Sequence, residues 1–179
     1  MTPADLIALS AAHGISLDRL PHGSAGTARP EWTVAELGQA AYGVPRVAFE
    51  AACYAYAGDM GLQEGLWQAL LHEATWLRRR ERWPPTCRGI AGDTVNYLPP
   101  LARLVLVEDA HRRYFTVAPG LYAIYLGVTE PTWERELRER FVAVQLVYLG
   151  WLATARRIMW PRLTDEPDDE TVAPESRHG

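Results

Sequence analysis

Residues 129–161 carry a helical pattern with one breaker inside it, Gly150, and this run constrains the fold more than any other stretch. At the standard rise it predicts a single helix roughly 45 Å long. Its two halves differ. Residues 130–140 are charged and suit solvent, whereas residues 141–152 read Phe-Val-Ala-Val-Gln-Leu-Val-Tyr-Leu-Gly-Trp-Leu and are apolar almost all round. A helix that is apolar on every side has to be buried, either within its own domain or in a subunit interface. Left exposed, Tyr148, Leu149, Trp151 and Leu152 would form a patch larger than a soluble monomer usually tolerates. These four are therefore candidate self-association residues, and a homodimer is the simplest closed outcome. The apolar run is too short to cross a bilayer, so no membrane partner is expected.

The chain before this helix is also patterned for helices. Thr33-Val-Ala-Glu36 is a capping box, and Trp32 ahead of it can staple onto Leu37. Tyr42-Gly43-Val44-Pro45 predicts a tight turn after which Pro45 restarts a helix that runs through Phe49 and Tyr54 to Gly58. Leu62, Leu66, Leu70, Ala74 and Leu77 recur at the helical period, with Trp67 and Leu71 widening the stripe, and predict about five turns. Arg78, Arg79, Arg80 and Arg82 close that helix. Cations there complement the helix dipole, and they also form a candidate patch for phosphate or a partner. Residues 83–100 are dense in Pro and Gly, and Ile90-Ala-Gly-Asp-Thr-Val95 within them suggests one small hairpin near 88–97. Leu101, Leu104, Val105 and Ala110 restore a helical pattern to about Phe115.

The ends read differently. Thr2-Pro3-Ala4-Asp5 starts a short helix that Gly14 can stop, and the loop-like residues 20–30 leave residues 1–30 loosely attached. Residues 164–179 hold six acids and one arginine and too little apolar surface to fold, which predicts a disordered acidic tail. The expected fold class is thus all-α, a multi-helix orthogonal bundle within a single helical domain, 1–163.

One local pattern points to a function. In Gly120-Leu-Tyr-Ala-Ile-Tyr-Leu-Gly-Val-Thr-Glu-Pro-Thr-Trp133, Ala123 is small where two helices touch, and Gly127 sits four positions on, where a left-handed turn is needed. Val128 plugs the core, Thr129 caps the next helix, Pro131 lies in its first turn, and Trp133 is an inward anchor. At these residues, within 120–137, the chain resembles the helix-turn-helix of bacterial and phage transcription regulators. The resemblance implies double-stranded DNA as partner, with Thr129, Thr132, Arg135 and Arg138 as the groove-facing and phosphate-facing positions. Aligning Gly43 with Gly127 also aligns Val44 with Val128 and Phe49 with Trp133, but Gln39 stands where the alanine belongs, so an ordinary helix pair is expected there.

Charge bears on this reading. The chain carries −4 overall, and without the acidic tail its body is close to neutral at +1, so DNA can be held only by a local patch. Glu130, Glu134, Glu136 and Glu139 offset Arg135, Arg138 and Arg140 in the second helix, and carboxylates near phosphates are repelled. A helical module that binds another protein is therefore the alternative function. Cys53 and Cys87 stand alone, which suits a reducing, cytoplasmic setting and neither zinc nor a disulfide framework. Glu108-Asp-Ala-His111 has the spacing of paired ligands, yet the second Glu-x-x-His of a di-iron bundle is missing. With no Gly-rich phosphate loop and no Gly-x-Ser-x-Gly elbow, the expectation is a protein that is not an enzyme and needs no cofactor.

Overall fold

The computed structural model describes residues 32–112 and 119–164. The expected N-terminal helix and the acidic tail lie outside these residues. The elements run α1 (Val34–Ala40), α2 (Arg46–Tyr56), a 3-10 turn (Met60–Leu62), α3 (Gln63–Arg80), β1 (Cys87–Arg88), β2 (Thr94–Val95), α4 (Leu98–Arg112), α5 (Pro119–Leu126), α6 (Glu130–Thr132), a π-helical turn (Trp133–Leu137) and α7 (Arg138–Thr164). The protein is all-α, with one two-stranded antiparallel ribbon in which Cys87 faces Val95 and Arg88 faces Thr94.

Local chemistry sets these boundaries. The Thr33 hydroxyl accepts the Glu36 amide at 3.2 Å while the Glu36 carboxylate accepts the Thr33 amide at 2.7 Å, so α1 starts on a reciprocal cap. The α1–α2 corner turns on Gly43 at φ 79°. At the end of α3, Arg82 takes the left-handed conformation at φ 55° and the Trp83 amide donates back to the Arg78 carbonyl at 3.0 Å, closing the helix as glycine usually does. The start of α4 lies three residues before the patterned Leu101. Pro99 and Pro100 fall in its first turn, where a missing N–H leaves no bond unmade. Likewise α7 passes through Pro161 to Thr164, whose hydroxyl donates to the Trp160 carbonyl at 2.9 Å.

The long helix forms the spine. Phe141, Val144, Tyr148 and Leu152 pack with Leu66, Leu70, Leu101 and Val105 of α3 and α4, and Ala155 and Met159 pack with Leu37, Ala48 and Ala52 of α1 and α2. This corrects the self-association set read from sequence. Tyr148 and Leu152 are core residues, Trp151 is half-buried with its ring edge-on to Tyr148, and among the four only Leu149 is exposed. The apolar surplus of residues 141–152 is absorbed chiefly by the domain itself. No helix among the described residues is long and apolar enough to cross a membrane.

The helix is also not uniform. Its buried stripe advances by steps of four from Trp133 to Leu137 to Phe141, and each step of four overshoots an α turn by about 40°. The wider π turn at Trp133–Leu137, closed by the Arg138 amide on the Trp133 carbonyl, takes up the first of these steps.

Candidate functional site

The helix-turn-helix corner forms as its residues require. Gly127 lies at φ 66°, Val128 is 1% exposed, and the Val128 amide donates to the Ala123 carbonyl at 3.0 Å. Thr129 is the N-cap, its hydroxyl accepting the Thr132 amide at 3.3 Å. The Trp133 ring is buried, stacked on Tyr122 at 5.0 Å and tilted against Phe141 at 5.6 Å. These residues thus build a tight corner between α5 and α6.

Two further contacts hold the corner. Across the ribbon the Gly89 amide donates to the Asp93 carbonyl, and the Ile90 amide donates at 3.1 Å to the carbonyl of Gly127 itself. A β-carbon on Gly89 would lie 2.5 Å from an Asp93 carboxylate oxygen and 2.8 Å from a Val95 methyl, so a larger residue there would have to displace both side chains. On the other side the buried carboxylate of Glu108 in α4 accepts the Tyr122 hydroxyl at 2.8 Å and the Gln145 amide, and Asp109 accepts the Tyr148 hydroxyl at 3.0 Å. A buried carboxylate without donors would cost several kcal/mol, so these bonds fix α5 and α7 against α4. Glu108, read as one of a pair of metal ligands, is engaged in this network; among the described residues no group of three His, Cys, Asp or Glu is placed to hold an ion.

The four positions singled out for DNA do not share one surface. Thr132 is buried at 8% exposure with its hydroxyl 2.9 Å from that of Thr129, which corrects its assignment to the groove. Thr129 is exposed, but its side chain serves as the cap. Arg135 and Arg138 are exposed; Arg135 donates to the Pro131 carbonyl at 3.2 Å, and Arg138 forms a 2.8 Å ion pair with Glu134.

Arg135 shares a cleft with Arg80 of the α3 cluster instead. A cleft of about 370 Å³ opens between the C-terminal end of α3 and the π turn, with Leu77, Trp83 and Ala143 as its apolar part. Arg80, Arg135 and Arg140 line it together with Glu81, Glu136 and Glu139. Arg80 pairs with Glu81 at 2.7 Å and lies over the exposed Trp76 ring at 4.6 Å. Arg140 lies over the buried Tyr97 ring at 5.0 Å. Of the other arginines at the end of α3, Arg78 is half-buried, and Arg79 and Arg82 are exposed. Sequence reasoning found Arg80 and Arg135 separately. Trp83, Glu136, Arg140 and Ala143 were missed, because only the packing of α3 on α7 sets them around one cleft. Cys87 behind it is buried, and burial, with the Glu136 carboxylate adding, raises its thiol pKa, so it stays protonated and a poor nucleophile.

No protein-family model matches the chain, and no curated protein or solved structure matches it either.

Proposed function

We propose that this protein is a non-enzymatic helical interaction module that receives a segment of another protein in the cleft between α3 and the π turn. The lining of the cleft, with Arg80, Arg135 and Arg140 beside Glu81, Glu136 and Glu139 and the apolar Leu77, Trp83 and Ala143, carries this reading. Three charges of each sign leave the cleft neutral, which gives a polyphosphate no net attraction. The same arrangement suits a peptide that inserts an apolar side chain against Trp83 and Ala143 and brings charges of both signs to the rim. A π turn also commonly accompanies a functional position in a helix, and this one supplies both Arg135 and Glu136.

DNA binding keeps one observation in its favour, a well-formed helix-turn-helix corner with Arg135 and Arg138 exposed on its second helix. Two selections with the full chain separate the readings, one from a random peptide display library and one from random DNA duplexes at low and physiological salt. The module reading expects enriched peptides with an apolar residue flanked by both charges, whose binding is lost in Ala143→Glu. Enrichment of a DNA sequence, with the salt dependence flattened by about one unit of slope in Arg135→Ala, would replace it with the DNA reading.

A further inference from the structure

On the outward side of α7, Val142, Leu146 and Leu149 are 43%, 61% and 41% exposed, and Ala153 is exposed in line with them. Their spacing of four, three and four residues is that of a seam along which a second helix lies. The ends of the seam are unlike. Toward its start the exposed Glu130, Glu134 and Glu139 outnumber Arg135 and Arg138, while toward its end Arg156 and Arg157 are exposed and have no salt bridge among the described residues.

We propose that this face pairs with the same face of a second copy of the chain, antiparallel, about a two-fold axis between Val147 and Tyr148. The seam is self-complementary in that register. Val142 lies opposite the partner's Ala153, Leu146 opposite the partner's Leu149, and Glu139 opposite the partner's Arg156 and Arg157. Arg138, which also comes near that arginine pair, is neutralised by Glu134 at 2.8 Å. A parallel pair would instead bring Arg156 and Arg157 of both copies together and leave Glu139 without a cation. The seam from Arg138 to Arg157 is about 28 Å long at helical rise, which makes a small interface. Such an interface, below about 1,200 Å², gives a reversible dimer with a dissociation constant on the order of micromolar or weaker. The apolar seam lies outside the cleft and shares only Glu139 with it, so Leu146→Glu tests the dimer separately from the interaction-module reading.

The test uses the full chain in two measurements. Sedimentation equilibrium across a dilution series spanning micromolar concentrations should show a monomer–dimer equilibrium, and Leu146→Glu should weaken association at least tenfold with an unchanged helical spectrum. Separately, Val142→Cys and Ala153→Cys proteins are mixed and oxidised. Antiparallel pairing sets these two positions side by side, while each lies about 16 Å along the axis from its own symmetry mate. A disulfide should form in the mixture and in neither protein alone; the native Cys53 and Cys87 are buried and do not interfere. The proposal is overturned by a monomer at every concentration, by a dimer that Leu146→Glu leaves intact, or by cross-linking of either cysteine variant with itself. It is overturned equally if the Val142→Cys thiol of the monomer is shielded from a soluble thiol reagent, since the face would then be covered within one copy of the chain.

Discussion

Replacing Trp133 by alanine tests whether the helix-turn-helix corner is part of the core. The ring is 3% exposed and touches two other aromatic rings, Tyr122 and Phe141. A buried tryptophan removes about 200 Å² from water, which at about 25 cal/mol per Å² amounts to ~5 kcal/mol. That figure is an upper bound, because the unfolded chain already hides part of the surface. Large-to-small changes at such sites cost about 3–5 kcal/mol, and the Trp133→Ala loss should fall in that range. For a chain of this size, each kcal/mol lowers Tm by about 2–4 °C, so the expected fall is roughly 6–20 °C. Thermal unfolding followed by circular dichroism measures it. Arg135→Ala and Arg138→Ala are internal controls on the same helix; both side chains are exposed and should shift stability by no more than about 0.5 kcal/mol. A loss below about 1 kcal/mol in Trp133→Ala would refute the reasoning, since it would mean that the ring does not hold α5 to the long helix.

Gly127→Ala meets no steric neighbour but must hold φ near 66°, so it should cost about 1–2 kcal/mol by denaturant titration; a neutral result would mean that the turn relaxes. The Cys53 thiol is pushed from its ordinary 9.0 up to about 11 by burial first and then by the Asp59 and Glu50 carboxylates. Because the folded state holds this proton more tightly than the unfolded state, its contribution to stability is complete below about pH 9 and is lost as pH rises toward about 11. Cys53→Ala should remove that part of the alkaline loss, as unfolding midpoints across this window will show. In the native state neither Cys53 nor Cys87 should react with a thiol reagent at neutral pH, while both should react in denaturant.

Much of the fold was legible because it is written in local chemistry. The capping box at Thr33 and Glu36, the turns at Gly43 and Gly127, the cap at Thr129 and the ribbon beside Gly89 each depend on residues close in sequence. What remained hidden is what distance in sequence conceals. Residues 141–152 are apolar on nearly every side, so no periodicity tells that Tyr148 and Leu152 face inward while Leu146 and Leu149 face out. Nothing in the spacing of Thr132 tells that its hydroxyl lies against that of Thr129 and that the residue is buried. The cleft needs Arg80 beside Arg135, fifty-five residues apart, and only the arrangement of α3 against α7 brings them together. Glu108 carried a ligand-like spacing whose meaning became plain when Tyr122 and Gln145 were placed around it.

The π turn at Trp133–Leu137 has a bearing on how this chain can change by insertion and deletion. Its extra residue has the effect of a one-residue insertion in an α-helix, held in place by the bulge instead of being passed along the helix. Removing one residue within the turn would let it relax to regular α geometry with the flanking segments still in phase, whereas removing one from the regular start of α7 would rotate everything before it by about 100° relative to the rest of α7. Trp133 would leave its stack with Tyr122, or the whole α5 corner would have to swing off α4 and the Glu108 carboxylate. A length change elsewhere on the surface, such as in the exposed tip beside Ile90, meets no such demand. The five residues of the wide turn therefore act as a phase buffer, a place where the loss of one residue leaves the corner set as before against the spine.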